Sequence, residues 1–82
     1  MRKKVYPNLL LFMPKPLSRR EFVRKLRQLG FNGPWSGKRH EYMERNKVIA
    51  LLPNPHGKDF SVGFIKEMLK QIGLTNEEFD AA

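Results

Sequence analysis

The stretch from Leu17 to Phe31 constrains the fold more than any other part of the chain. Ser18 is a good helix N-cap, and Glu21 three residues later completes a Ser-x-x-Glu capping box. Leu17 and Phe22 take the N′ and N4 positions of a hydrophobic staple. Phe22, Leu26 and Leu29 recur at i, i+4 and i+7 and so share one helical face, with Arg19, Arg20, Arg24, Lys25 and Arg27 around it. Gly30 stands where a left-handed C′ residue is wanted, and Phe31 is placed to close a Schellman-type end. An amphipathic helix with both ends specified must lay its apolar stripe on another layer.

The rest of the chain supplies that layer. Asn32-Gly33-Pro34 and Ser36-Gly37 contain turn formers, which makes 32–38 a loop or a short strand with turns. Tyr42, Met43, Val48, Ile49, Leu51 and Leu52 form two strand-like runs divided at Arg45-Asn46, the pattern of a hairpin. In its first strand His40, Tyr42 and Glu44 share one face and Glu41, Met43 and Arg45 the other. Pro53-Asn54-Pro55 ends the second strand, because proline has no N–H for the ladder. A second helix is expected from Ser61 to Ile72, with Phe64 or Ile65, Met68 or Leu69, and Ile72 as its buried stripe and Gly73-Leu74 repeating the ending of Gly30-Phe31. Thr75-x-x-Glu78 is another capping box, so 75–82 is expected to add a short helical tail with Phe79 packing back. The order helix, two or three antiparallel strands, helix predicts an α+β sandwich.

At 82 residues this is one domain. The absence of cysteine removes disulfides, thiolate metal sites and thiol nucleophiles. With only two histidines besides, neither a structural zinc nor another cofactor is expected. Leu9-Leu10-Leu11-Phe12-Met13 follows Arg2-Lys3-Lys4 like the start of a signal peptide. The apolar run is too short for one, and Pro14 and Pro16 replace a cleavage site. It is also far below the roughly 20 residues that span a bilayer. Residues 1–16 therefore read as an N-terminal extension with room for a short strand, and the expected location is cytoplasmic, away from membranes.

The net charge of +8 is unevenly distributed. Residues 1–39 hold eleven Lys or Arg against the single acid Glu21, a balance of +10, whereas 40–82 hold five against seven, a balance of −2. This asymmetry points to a polyanion at one end of the molecule and leaves RNA, DNA and anionic lipid as partners. Lys38 and Arg39 immediately precede His40, which places a titrating group beside two cations after the flexible Gly37. On the residues alone, His40 reads first as a half-exposed strand histidine without a chemical duty. His56, flanked by Pro55 and Gly57, reads as a loop residue before a second catalytic histidine. Trp35 and Tyr42 are available either to stack on an unpaired base or to anchor a loop by packing.

Four segments taken in order resemble one family. Residues 17–31, Leu-Ser-Arg-Arg-Glu-Phe-Val-Arg-Lys-Leu-Arg-Gln-Leu-Gly-Phe, are similar to the first helix of the HicA toxins. Gly37-Lys38-Arg39-His40-Glu41-Tyr42-Met43 is similar to that family's Gly-rich turn and His-x-apolar-apolar strand. Pro53-Asn54-Pro55-His56-Gly57-Lys58-Asp59, with Val62-Gly63-Phe64-Ile65, resembles the segment entering its second helix, and Met68-Leu69-Lys70-Gln71-Ile72-Gly73-Leu74 resembles the close. The resemblance covers 17–74 and implies a double-stranded-RNA-binding-domain-like α-β-β(-β)-α fold. It implies an mRNA interferase that cleaves single-stranded or messenger RNA without metal and is neutralised by a HicB-like antitoxin. His40 falls on the catalytic position, and Lys38, Arg39, Arg19, Arg20 and Arg24 become the residues expected to hold RNA. Lys38-Arg39 stands where many relatives have Gly-Ser, and residues 1–16 have no counterpart in the minimal domain. The competing expectations are a non-catalytic RNA-binding module of the same fold and an interaction domain for an acidic protein.

Overall fold

The structure, a computed structural model, describes residues 15–82. The apolar run at 9–13 and the strand allowed for in the N-terminal extension lie outside the described residues. Helix α1 (Arg19–Gln28) leads into three short strands, β1 (Asn32–Ser36), β2 (Glu41–Arg45) and β3 (Val48–Leu52), followed by α2 (Val62–Ile72) and α3 (Asn76–Asp80). The expected α+β architecture is observed, with three strands in one antiparallel sheet of order β1-β2-β3.

The helix termini follow from local chemistry, with one correction. Ser18 caps α1 by accepting the Glu21 N–H at 3.1 Å, but the expected reciprocal bond is not made. The Glu21 carboxylate accepts from Arg24 Nε at 2.8 Å instead, because an arginine one turn ahead offers a charged donor. A complete capping box forms at Thr75 and Glu78, where both bonds are present. Gly30 (φ 94) and Gly73 (φ 79) end α1 and α2 in the left-handed region. Phe31 N–H and Leu74 N–H then reach back to the carbonyls of Leu26 and Leu69, both at 2.9 Å, as in a Schellman motif.

The β2–β3 hairpin turns through Asn46 (φ 50) and Lys47 (φ 69). Two successive positive φ values are what a two-residue primed turn requires. The register pairs Met43 with Ala50 and Glu41 with Leu52. Met43, Ala50 and Leu52 are buried and point toward the helices, α1 lying beside β1 and α2 beside β3. Phe22, Val23 and Leu26 of α1 meet Ile65, Met68, Leu69 and Ile72 of α2 in the same core. Phe22 sits at its centre, with ring centroids 5.3 Å from Phe60 and 5.4 Å from Phe79. Such aromatic pairs contribute about 0.5–1.5 kcal/mol each beyond the area they bury. Phe79 thus brings α3 into the core, held also by Lys25, whose Nζ donates to the carbonyls of Phe79, Asp80 and Ala82 at 3.2–3.4 Å. All of this packing lies on one face of the sheet, so the other face meets solvent.

Candidate nucleic-acid interface

His40 lies in the turn between β1 and β2, one residue before β2 begins, rather than opening the strand as its sequence context suggested. The turn is closed by the Gly37 N–H, which donates to the His40 carbonyl at 3.1 Å. Lys38, Arg39 and His40 are all exposed. The exposed His40 side chain makes no hydrogen bond or ion pair among the described residues.

Two shallow grooves meet at His40. One lies between the end of the sheet and the start of α1, and is lined by Arg19, Arg39, His40, Glu41, Leu52 and Asn54. The other lies on the helix-free face of the sheet, where Lys38, Arg39 and His40 border Tyr42, Glu44 and Leu51. The alternation read from the sequence is thus retained, since His40, Tyr42 and Glu44 share this groove. Arg19 forms an ion pair with Glu41, which places its guanidinium beside the His40 groove.

A third groove runs along α1 and contains Arg19, Arg20, Arg24 and Arg27 with Pro34. These side chains are not one undifferentiated solvated face. Arg24 pairs with Glu21, holding that carboxyl below the ordinary glutamate range chiefly through their hydrogen bond. Arg27 Nε donates to the Gly33 carbonyl at 3.0 Å, and Lys25 turns away to the end of α3. Arg20 is exposed and has no ion pair among the described residues. Since Arg19 lines both the α1 groove and the His40 groove, the two form one basic track.

Over residues 19–74 the sequence matches the family model of the HicA toxin of bacterial toxin–antitoxin systems. The chain belongs to the HicA toxin family. Its role is that of the toxin in a toxin–antitoxin pair, which gives it a cognate antitoxin as partner. A comparison with curated proteins finds no match.

Within this HicA chain the six residues singled out in the sequence fall into linked groups. Arg19, Arg20 and Arg24 share the α1 groove, Lys38 and Arg39 flank His40, and Arg19 and Arg39 reach the same groove as His40. His56 borders neither groove that contains His40. It occupies a left-handed turn position (φ 57), and its N–H donates to Asn54 Oδ1 at 2.8 Å. No helix among the described residues is long and apolar enough to cross a membrane. Nor do they contain a cluster of three or more His, Asp or Glu placed to hold a metal ion.

Sequence reasoning did not anticipate how much apolar surface the open sheet face presents. Trp35 is 50% exposed, Ile49 46% and Leu51 51%. Trp35 pairs directly with Tyr42, Tyr42 with Leu51, and Glu44 with Ile49. The alternation in Val48-Ile49-Ala50-Leu51-Leu52 is masked in the sequence because both of its faces are apolar.

Proposed function

We propose that this HicA toxin is an endoribonuclease that acts in the cytoplasm on single-stranded or messenger RNA, with His40 as its general acid–base. The observation that carries the reading is the junction at His40. A basic track from α1 meets an exposed imidazole flanked by Lys38 and Arg39.

In the reaction, the ribose 2′-oxygen attacks the adjacent phosphorus as His40 accepts the hydroxyl proton. The bond from phosphorus to the 5′-oxygen then breaks. That oxygen takes a proton from the imidazolium just formed or from water, leaving a 2′,3′-cyclic phosphate and a 5′-hydroxyl. Imidazole is suited to both transfers because its titration range lies near neutral pH. Arg39 and Lys38 stand where they stabilise the extra negative charge on the phosphoryl oxygens. Arg19, Arg20 and Arg24 supply sequence-independent affinity for the backbone on one side of the cut. A HicB-like antitoxin silences the toxin by covering this track.

The test uses purified protein, RNA and EDTA. The parent should generate 2′,3′-cyclic phosphate ends, and His40→Ala should lose about 10²–10⁴-fold in rate while keeping its melting temperature. An alanine variant that cuts as fast as the parent would refute the catalytic role of His40. The arginine-lined α1 groove does not need His40 and supports a second reading, a non-catalytic RNA-binding module. That reading predicts RNA retention with no new ends. Induced expression should arrest growth, and co-expression of a HicB-like partner should restore it.

A further inference from the structure

The helix-free face of the sheet carries an inference of its own, which rests on the RNA reading above and specifies the form of RNA bound. Large apolar side chains at the surface of a small domain require an explanation when they are contiguous. Here Trp35, Tyr42, Ile49 and Leu51 lie side by side across three strands. The patch is not purely apolar. Lys38 and Arg39 stand at one end and Lys47 at the other, with Glu44 as the single acid between them.

We infer that this face is a stacking platform for unpaired nucleotides, on which Trp35 and Tyr42 receive base faces while Lys38, Arg39 and Lys47 hold the flanking phosphates. Directly opposed residues in an antiparallel pair have Cβ atoms about 4.5–5.5 Å apart, so Trp35 and Tyr42 stand at neighbouring positions in one strip of this face. Ile49 and Leu51 extend it as an apolar floor. Phosphates belong over the cationic ends, whereas Glu44 keeps them from the middle. With bases turned inward, its carboxylate accepts from exocyclic amino groups, as acidic side chains do with cytosine N4. Because His40 borders the same groove, a strand lying on the strip presents its phosphate at the imidazole. A base drawn onto Tyr42 leaves its neighbour in the stack, which opens the backbone for in-line attack by the 2′-oxygen. An A-form duplex offers no vacant base face, so the platform selects single strands.

Lys47 gives independent support. It occupies the second position of the β2–β3 turn at φ 69, where glycine is the favoured residue. A lysine in the left-handed region is strained where glycine is not. Strain of this kind persists where the side chain has a task, and Lys47 lines the recess containing Trp35 and Tyr42.

The chain has a single tryptophan, which makes the platform directly observable. A single-stranded DNA oligonucleotide lacks the 2′-OH and is not cut by this chemistry, so it reports binding whatever the fate of the nuclease assignment. Titrating it into the unmodified protein should quench Trp35 fluorescence, and the same sequence annealed to its complement should not. Tyr42→Ala and Lys47→Gly should each weaken single-strand binding, the first by roughly 5- to 100-fold, and Lys47→Gly should also raise the melting temperature. Equal quenching by duplex and single strand would overturn the inference, as would unchanged affinity in Tyr42→Ala. A response confined to a cognate antitoxin, with no oligonucleotide effect, would instead assign the face to protein binding. If quenching occurs while His40→Ala still cuts RNA, the platform stands and only the catalytic assignment falls.

Discussion

The backbone N–H of Gly37 is hydrogen-bonded to the carbonyl oxygen of His40 at 3.1 Å, and the turn they close has no space for a side chain at position 37. A Cβ built on Gly37 falls 2.5 Å from that oxygen, a contact with backbone that only a shift of the turn relieves. Gly37→Ala is therefore expected to move His40, Arg39 and Lys38 together. A misplacement of about 1 Å costs on the order of 10²-fold in rate when a catalytic group must be aligned. The expected result is a drop of roughly 10- to 100-fold in RNA cleavage with little change in melting temperature, because all four turn residues are exposed. Full activity in this variant would show that the turn does not position the histidine.

Arg45 illustrates a charged residue whose work is structural. It lies on the helix side of β2, its Nη1 donates to the Leu29 carbonyl at 2.7 Å, and its guanidinium lies 4.8 Å from the Phe31 ring centroid. It thus satisfies a carbonyl at the end of α1 and covers the residue that closes that helix. Arg45→Ala should destabilise the fold by about 1.5–3 kcal/mol, the range for a hydrogen bond to a charged group, measured by urea denaturation. Arg45→Lys should recover only part of this, since a point charge does not reproduce a planar fork laid on an aromatic ring.

The elements most legible in the sequence are those governed by local chemistry. Ser18, Gly30-Phe31 and Thr75-x-x-Glu78 specify helix ends through bonds between residues three to five apart, and each lies where the sequence placed it. The hairpin break at Arg45-Asn46 was equally readable, the turn itself falling on Asn46-Lys47. Partner choice among charges was not. Nothing local distinguishes Glu21 bonding back to Ser18 from Glu21 bonding to Arg24, or reveals that Lys25 reaches carbonyls more than fifty residues away. The pairing of Trp35 with Tyr42 was hidden for a similar reason. It depends on a register irregularity between Asn32 and Trp35, which turn-forming residues alone do not fix. At the site, the sequence named the cations and His40, and long-range packing determined which of them share a groove.

The basic residues of α1 divide into structural and exposed ones, and two substitutions should separate them. Lys25 donates to three carbonyls at the end of α3 and lies 5.3 Å from the Phe79 ring centroid. Lys25→Gln should cost about 0.3–1 kcal/mol, as for loss of a cation at a helix C-terminus, and leave RNA affinity almost unchanged. Arg20 is exposed in the α1 groove, so Arg20→Gln should leave the melting temperature unchanged. It should weaken RNA binding on every sequence alike and reduce the salt slope of log affinity by about 1. A reversed outcome, with Lys25 controlling affinity and Arg20 controlling stability, would show that the α1 groove is not the phosphate track.

Acid should act in opposite directions through two of the carboxyls of α3, Glu78 and Asp80. The Thr75 N–H and hydroxyl hydrogen-bond to the Glu78 carboxylate and hold its pKa below the ordinary value. The folded chain therefore favours ionised Glu78. That contribution is complete above the ordinary glutamate range and is lost as the pH falls through the folded value. Asp80 has the opposite sign. Burial raises its pKa despite the opposing charge of Lys25, and its Oδ2 is buried with no hydrogen-bond partner among the described residues. Ionised Asp80 thus opposes folding at neutral pH; the penalty begins to shrink as the pH falls through its raised folded value and is gone only below the ordinary aspartate range. Glu78→Gln should lower the melting temperature at pH 7 and converge on the parent in acid. Asp80→Asn should raise it at pH 7 and lose that advantage in acid, because the parent then carries a neutral Asp80 as well. Melting curves of the three proteins from pH 7 to pH 3, followed by circular dichroism, measure both effects; a destabilised Asp80→Asn at pH 7 would show that attraction to Lys25 outweighs the burial of the carboxylate.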